Sequence, residues 1–391
     1  MTQHDLMEHV TARRNVFFLL DQGLEVDLVC AAGSEGVRRL EDKPGLRLHR
    51  IPVHHRRGHV LRYLVEYTTF FLAALTVVSL LTMRRRYLAV QVDNLPDSLV
   101  LTALVPRLRG VRVVFNMFEL TPEMVTARFP VGPGRILVGV ARWVERLATR
   151  WADHVIVVSE ECFRRVRGRG VPVSKLSVVL NTTSLVPADR GLRAEPTGDA
   201  SFLVTHSTLV KRYGVDVAIR AFTLLRPAWP GLTLRVIGDG EQRADLERLA
   251  AELGVAGSVE FTGQLPWPET LAHVRTAAIG IVSVLADGYG EVLLPTKLLE
   301  YARLGVPAAC SRLLAVEHYF PDDALAYFPA GDDQELAARL ERLLRDREAA
   351  AAQAKRALEV VQGMRWEVTS EAYLRALGVT EAARAAQLSP A

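Results

Sequence analysis

The residues with the clearest chemical signal are Lys297 and Glu300, which follow a glycine-containing loop and open a helical stretch. Pro295 suits the first position of that helix, because a missing N–H costs nothing there. The amides of Thr296, Lys297 and Leu298 would then be free to hold an anion such as phosphate. Lys297 puts a positive charge in the first turn, which the helix dipole disfavours unless an anion binds nearby.

Glu300 lies one turn after Lys297, at i+3 on the same helical face. A carboxylate at this place could accept hydrogen bonds from the two hydroxyls of a sugar diol. The alternative is an amphipathic helix with an internal Lys–Glu pair, closed by the turn Gly305-Val306-Pro307. Spacing alone does not separate these two interpretations.

The run PTKLLEY at residues 295–301, followed by LGVP at residues 304–307, resembles the C-terminal signature of family-4 glycosyltransferases. These are retaining, sugar-nucleotide-dependent enzymes with the two-domain GT-B fold. The resemblance implies that the helix start holds the donor diphosphate, with Lys297 among the catalytic residues. It also implies that Glu300 holds the ribose.

Many members of that family carry an earlier glutamate that contacts the donor sugar. Val292 occupies that place here, and Glu291 lies one residue before it. Glu291 is therefore the candidate for the sugar contact, although its spacing to Glu300 departs from the family pattern.

Composition indicates a globular chain of 391 residues, long enough for two or three domains, with 49% hydrophobic and 24% charged residues. The three cysteines, Cys30, Cys162 and Cys310, form no disulfide framework or metal spacing, which suits a reducing cytoplasm. Through Arg190 the chain has 27 Lys and Arg against 18 Asp and Glu, and the remainder has 21 against 26. A basic first half favours anionic lipid or a phosphorylated acceptor, and no nucleic-acid module is recognisable.

Alternating strand and helix patterns predict an α/β fold with parallel sheets. The resemblance extends this to two Rossmann-like domains facing across a cleft, with a C-terminal helix crossing back to the first domain. The expected domains are residues 1–190 on the acceptor side, residues 191–365 for the nucleotide sugar, and the closing helix in residues 366–391. Residues 187–200, rich in Pro, Gly and charge, are expected to be a linker.

The chain opens with a predicted helix over Ala12–Asp21 and a strand over Leu24–Cys30. In the family a strand and a glycine-rich loop come first, and both are missing here. Either the start codon is assigned too late, or the first domain lacks a central strand.

Two loops of the first domain are candidates because ligands bind at the carboxyl ends of parallel strands. Asn94 follows the strand ending at Val92, and we expect it to bind substrate. Glu119 follows the next strand and is the candidate catalytic residue of this domain, the alternative being a cap on the following turn. Phe118 stands where the family often has a histidine beside the reacting sugar.

Two further stretches of the first half are basic or apolar. Residues 47–63 contain four histidines and five arginines, which form either a solvated loop or a contact surface for phosphate. The apolar run Tyr67–Met83 precedes Arg84-Arg85-Arg86. It predicts a buried helix, or a helix dipping into the surface of an anionic membrane.

The second domain opens with a strand and a loop in which Ser207 and Thr208 are expected to bind substrate. The family usually places an arginine and a lysine here against the donor diphosphate. Those places are Thr208 and Tyr213, whereas the charges stand at Lys211 and Arg212, our candidate catalytic cations. They could equally be surface charges. By analogy, Gly238 and the loop with Gly263 and Leu265 would contact the donor, the latter beneath the base.

The resemblance therefore predicts a metal-independent glycosyltransferase with no cofactor, whose donor substrate is a nucleotide-diphosphate sugar. The expected acceptor is a glycan, a lipid-linked molecule or a small molecule in cell-surface polysaccharide synthesis. The expected location is the cytoplasm, with peripheral contact to the inner face of the membrane and no nucleic acid partner. The alternatives are a nucleotide-sugar epimerase of the same fold and a non-catalytic relative that binds sugar nucleotide or membrane.

Overall fold

A computed structural model describes residues 10–31, 43–53, 60–129, 134–182 and 202–379. It contains two compact units, Met1–Asn181 together with Thr369–Ala391, and Thr182–Val368. The expected boundary at residue 190 and the whole of the expected linker, residues 187–200, lie outside the described residues. Both units alternate strands and helices, and every strand pairing within their sheets is parallel.

In the first unit, six strands form a two-stranded sheet, β1-β2, and a four-stranded sheet in the order β3-β4-β5-β6. The strands are β1 Val26–Ala31, β2 Leu46–Ile51, β3 Ala89–Asp93, β4 Arg112–Met117, β5 His154–Val157 and β6 Leu176–Val178. The α-helices are α1 Val10–Asp21, α2 Val60–Arg84, α3 Leu104–Leu108, α4 Thr121–Arg128, α5 Gly134–Trp151 and α6 Glu160–Gly168. A 3₁₀ segment, Asp97–Ala103, precedes α3.

In the second unit, one six-stranded sheet runs in the order β12-β11-β10-β7-β8-β9. The strands are β7 Phe202–His206, β8 Thr233–Ile237, β9 Val259–Gly263, β10 Ile279–Val282, β11 Ala308–Ser311 and β12 Ala326–Phe328. The α-helices of this part of the chain are α7 Val215–Leu225, α8 Arg243–Glu252, α9 Trp267–Thr276, α10 Thr296–Arg303, α11 Leu314–Glu317, α12 Asp333–Arg345, α13 Arg347–Gln362 and α14 Trp366–Leu377.

The central strands of the second unit are apolar almost throughout. Every residue of β10 is buried, as expected for a strand covered by helices on both faces of a parallel sheet. Residues 333–362 form two helices, α12 and α13, because the side chain of Asp346 accepts from the amide of Ala349 at 2.9 Å and caps the second one.

The last described helix, α14, supplies core to the first unit. The hydroxyl of Tyr373 donates to Gln91 Oε1 at 2.7 Å, and Arg112 Nε donates to the carbonyl of Ala376 at 2.7 Å. Both contacts tie α14 to the four-stranded sheet, on β3 and β4.

A cavity of about 180 Å³ separates the two sheets of the first unit. Its walls are β1 and β3, with side chains from α1, α2 and α14, and no described strand bridges it. In doubly wound sheets the first strand occupies the position between these neighbours. Among the described residues the first element is α1, and residues 1–9 lie outside them.

Helix α2 contains the predicted apolar run Tyr67–Met83. Phe70, Ala74 and Val78 are buried along one stripe, whereas Leu72 and Met83 are exposed. This helix of 25 residues is therefore buried along one stripe and exposed along the opposite one. The expectation of a buried helix is met only in part. In the part of the chain that the structure describes, this helix alone is long and apolar enough to span a membrane, and 22% of its most apolar stretch is buried.

In the basic segment 47–63, His49 lies on β2 and contacts Asp27 of β1, with Nε2 2.7 Å from Oδ1. That pair holds the two strands of the small sheet together. Residues 54–59, with His54, His55 and His59, lie outside the described residues.

Candidate functional site

The candidate site of the second unit lies at the carboxyl ends of β7, β8 and β9, where glycines allow close main-chain packing. Gly238 has a φ of +136°, and a Cβ built on it would lie 1.9 Å from the carbonyl oxygen of Ser207. The amide of Gly238 donates to the carbonyl of Gly263 at 2.9 Å. Gly238, Gly263 and Ser207, all expected at the donor site, are therefore brought together.

Helix α10 begins at Thr296, and Pro295 is its N-cap in place of the first helical residue expected. The amide of Leu298 donates to the carbonyl of Pro295 at 3.0 Å. The prediction of a free amide at Leu298 is therefore wrong, because a tight first turn uses it. The amides of Thr296 and Lys297 remain as donors at the helix start, and Thr296 is exposed.

Lys297 is the most unusual charge of this unit. Only 4% of the residue is exposed, and no described residue makes a hydrogen bond with its Nζ. The Nζ lies 5.2 Å from the ring centroid of Tyr213, on the loop after β7. Burial lowers the pKa of Lys297 to about 8, with Cys310 and Glu300 acting in the opposite direction. A buried ammonium without hydrogen-bond acceptors is costly, which is understandable if an anionic ligand supplies them.

Glu300 is also buried, and it is held by two side chains. His206 Nε2 lies 2.7 Å from Glu300 Oε2, and Trp267 Nε1 donates to Oε1 at 3.1 Å. His206 Nδ1 lies 3.1 Å from the hydroxyl of Tyr301. His206 thus contacts both residues through its two ring nitrogens, and the hydroxyl of Tyr301 also donates to the carbonyl of Val204 at 3.4 Å. An ionised carboxylate has about four acceptor positions, so roughly two remain on Glu300 for a diol.

The two candidate cations of the loop after β7 differ in setting. Lys211 is exposed and pairs with Asp216 at 2.5 Å. Arg212 is largely covered: its Nε lies 3.1 Å from Asp287 Oδ2, and its guanidinium lies 4.3 Å from the ring centroid of Tyr289. Arg212 thereby connects this loop to the loop that leads into α10, whereas Lys211 has the setting of a surface charge.

The loop before α10 is organised by Asp287. Its Oδ1 accepts from the amides of Tyr289 and Gly290 at 3.1 and 2.7 Å. A Cβ on Gly290 would lie 1.9 Å from the carbonyl oxygen of Leu285, so only glycine fits. Glu291 is half-buried in the next turn, and Val292, at the family's glutamate position, is buried in the core.

The remaining donor candidates, Thr208 and Leu265, lie at the same edge of the sheet. Thr208 is exposed beside Ser207, and Leu265 is half-buried in the loop between β9 and α9. Their positions agree with the predicted loops.

Asn94 of the first unit has a structural role instead of the predicted substrate contact. Its Nδ2 donates to Asp97 Oδ1 at 3.0 Å and to the carbonyl of Glu119 at 2.7 Å. Its Oδ1 accepts from the amides of Phe118 and Glu119 at 2.9 and 3.3 Å. All four hydrogen-bonding positions of the amide are used, because the side chain joins the loop after β3 to the loop after β4. Glu119 is half-buried in that second loop.

A charged network lies behind these loops. Arg169 Nη1 donates to Glu145 Oε2 at 2.6 Å, and Nη2 contacts Glu123. Burial raises the pKa of Asp97 to about 6, although hydrogen bonds from Asn94 and Thr121 and the charge of Arg169 oppose the shift. The network fixes the polar end of the sheet.

Sequence reasoning missed His206 and Trp267 as partners of Glu300. The only signals were a histidine at the end of a predicted strand and a tryptophan next to Pro266 in the expected base loop. No group of three or more His, Cys, Asp or Glu side chains placed to hold a metal occurs among the described residues.

The fold places the chain in the class of proteins built from two Rossmann-like units. The site of the second unit has a helix start with a buried lysine and a buried glutamate at the carboxyl edge of the sheet. Residues 10–182 match the glycosyl transferase 4-like domain model, and residues 193–360 match the model of glycosyl transferases group 1. The chain belongs to the group 1, family-4 glycosyltransferases and has the GT-B fold.

Among curated relatives, a GDP-mannose-dependent alpha-(1-6)-phosphatidylinositol monomannoside mannosyltransferase of Mycolicibacterium smegmatis is 36% identical over 117 residues, covering 29% of this chain and 31% of its own length. The lipopolysaccharide core biosynthesis glycosyltransferase LpsE of Rhizobium meliloti is 28% identical over 205 residues, covering 52% of this chain and 56% of its own. The matched stretches thus span less than two thirds of either relative.

Two solved structures share the fold across most of the chain. Sucrose-phosphate synthase from Thermosynechococcus elongatus has a TM-score of 0.72 and 17% identity, covering 94% of each chain. Anabaena HepE in complex with UDP has a TM-score of 0.65 and 14% identity, covering 90% of this chain and 92% of its own.

Proposed function

We propose that this protein transfers a sugar, with retention and without a metal, from a nucleotide-diphosphate sugar to a glycan or lipid-linked acceptor. The observation that carries the proposal is Lys297, a buried cation without a hydrogen-bond acceptor at the start of α10. A diphosphate at this helix start would meet the ammonium and the amides of Thr296 and Lys297.

The second unit contributes the groups that recognise the donor. Glu300 accepts two hydroxyls of the ribose, oriented by His206 and Trp267, which leave it the required acceptor positions. The main chain of the loop containing Gly263 and Leu265 lies beneath the base.

In the proposed reaction the bond between the sugar's anomeric carbon and the diphosphate oxygen breaks, while the acceptor oxygen bonds to the same face. The proton of the acceptor hydroxyl passes to the departing phosphate oxygen. Lys297, assisted by Arg212, stabilises the negative charge that develops on the leaving group, which is the role a metal would otherwise take. No protein nucleophile is required.

The relatives that act on phosphatidylinositol monomannoside and lipopolysaccharide core support an acceptor in glycolipid or polysaccharide synthesis. We place the reaction at the cytoplasmic face of a membrane, with the acceptor on the side of the first unit.

The test is an assay with UDP- and GDP-sugars and lipid-linked acceptors, with the anomeric configuration of the product read by NMR. We expect turnover that persists in EDTA and a product that keeps the donor's configuration. Inversion, or loss of activity in EDTA restored by a divalent cation, would contradict the mechanism. Nucleotide binding with no turnover on any donor would instead favour a non-catalytic relative.

A further inference from the structure

The outward face of α5 is an apolar surface without a cover among the described residues. Ile136, Val140 and Trp143 follow one another at i, i+4 and i+7, and Leu137 lies beside them. They are 72%, 53%, 63% and 47% exposed, respectively. Scattered exposed apolar residues are ordinary, but four large ones on one stripe indicate an interaction surface. The opposite face, with Ala141, Glu145 and Ala148, is buried against the unit.

The stripe beside these side chains is basic. Arg135, Arg142, Arg146 and Arg150 are exposed, and at about 100° per residue they fall on the arc adjoining the apolar stripe. None of the four has an ion-pair partner in the described part of the chain. The only carboxylate of α5, Glu145, points inward and pairs with Arg169. The exposed face is therefore apolar and positive, with no acidic residue.

We propose that this face of α5 docks the protein on an anionic lipid bilayer. A helix with arginines beside an apolar face that includes tryptophan matches the composition of helices that lie in the membrane interface. The arginines are complementary in charge to anionic headgroups. A second copy fits poorly, because a two-fold contact through this face would bring the same arginines together.

Helix α2 extends the surface. Both α2 and α5 pack against the 3₁₀ segment Asp97–Ala103, so they lie in one helical layer of the first unit. Leu80 and Met83 of α2 are exposed, and Arg84 and Arg86 follow them at the helix end. The run predicted from sequence to meet the membrane thus packs on the same 3₁₀ segment as α5.

The experiment measures binding of the full chain to phosphatidylcholine vesicles with and without phosphatidylglycerol, by sedimentation and by tryptophan fluorescence. No donor or acceptor is present, so the result does not depend on the proposed transferase activity. We expect binding to the anionic vesicles only, released by high salt, with a blue shift that Trp143→Phe removes while binding persists. Arg142→Gln/Arg146→Gln should weaken binding by about tenfold or more at low salt, and Ile136→Asn/Val140→Asn should weaken it similarly.

Matched controls lie in the second unit, where Arg342→Gln/Arg347→Gln and Leu224→Asn remove exposed side chains of the same kinds. They should leave binding unchanged. The proposal fails if the α5 variants bind like wild type, or if Leu80→Asn/Met83→Asn abolishes binding while the α5 variants do not. It also fails if the chain binds no vesicle, or if the α5 variants dissociate a dimer in sedimentation velocity without affecting lipid binding. Circular dichroism confirms that each variant is folded.

Discussion

His206 Nε2 lies 2.7 Å from Glu300 Oε2, and the two residues come from the end of β7 and the second turn of α10. The pair joins the loop that carries Arg212 to the helix that carries Lys297. Trp267 Nε1 donates to the other carboxylate oxygen at 3.1 Å, so both oxygens of Glu300 are held. The acceptor positions that remain on it are thereby fixed in the unliganded protein, which reduces the entropy lost on binding.

The first prediction concerns Glu300. Glu300→Gln should weaken binding of UDP or GDP, with no sugar attached, by about 1–3 kcal/mol, since charge-assisted hydrogen bonds to the ribose are lost. Isothermal titration calorimetry measures it, and Glu269→Gln, on the exposed first turn of α9, is the control. If bare nucleotide binds to Glu300→Gln as to wild type, the ribose assignment is wrong.

The second prediction concerns Lys297. Because this lysine is buried, its replacement should stabilise the fold, whereas replacement of an exposed lysine should leave stability unchanged. Lys297→Met should raise the melting temperature, because an ammonium whose pKa is lowered by burial destabilises the fold at neutral pH. The same variant should lose most nucleotide affinity. Lys355→Met, on the exposed side of α13, should change neither property. A variant that is less stable and still binds nucleotide would show that Lys297 serves the fold.

The third prediction concerns pH. Because the pKa of Lys297 is about 8 in the folded chain, and is near 10.4 for an unperturbed lysine, the unfolded chain binds more protons between these values. This contribution to stability therefore rises with pH across that window. A bound diphosphate favours the charged lysine, so nucleotide affinity should fall as pH rises above about 8. Calorimetry in buffers of different ionisation enthalpy should detect proton uptake on binding near that pH, and Lys297→Met should abolish it.

The fourth prediction concerns Arg169 in the first unit. Arg169→Met leaves Glu145 buried without its partner and should lower the free energy of unfolding by about 3–5 kcal/mol. Urea denaturation measures the loss, and Arg167→Met, exposed in the last turn of α6 just before Arg169, is the control. Because burial raises the pKa of Glu145 and Arg169 opposes that shift, the deficit of the variant should shrink at acidic pH, where Glu145 is protonated. An undiminished deficit at low pH would assign the effect to packing.

The sequence predicted those features that depend on local pattern. The helix start at Pro295 and the parallel strands follow from residue type and periodicity, and the structure moves the start by one position. Burial of Lys297 could not be predicted, because it depends on Tyr213 and on the core around Cys310, which are distant in sequence. The contact of His206 with Glu300 spans 94 positions and has no local signal.

Helix α5 is a second example of a feature that local sequence pattern does not predict. Its apolar residues occupy two arcs, and periodicity alone does not say which arc packs on the sheet. Gly134, Ala141 and Ala148 pack inward because small residues allow close approach, which leaves Ile136 and Trp143 outside. Asn94 shows the converse, since its place at a strand end predicted a ligand contact while its amide binds main chain.

The cavity between β1 and β3 also determines which part of the first unit should unfold most easily. The β1–β2 pair has no backbone hydrogen bond to the four-stranded sheet in the described residues. Helices α1, α2 and α14 line the cavity beside it, and the hydroxyl of Tyr87 donates to Asp27 Oδ2 of β1 at 2.8 Å. The β1–β2 pair should therefore unfold locally as one cooperative segment, well below the global free energy of unfolding. Native-state amide exchange should show Leu28 and Leu48 exchanging together and early, while Val114 and Phe115 in β4 exchange only with complete unfolding. Tyr373→Ala, which removes a side chain from the cavity wall, should speed exchange in β1–β2 more than in β4.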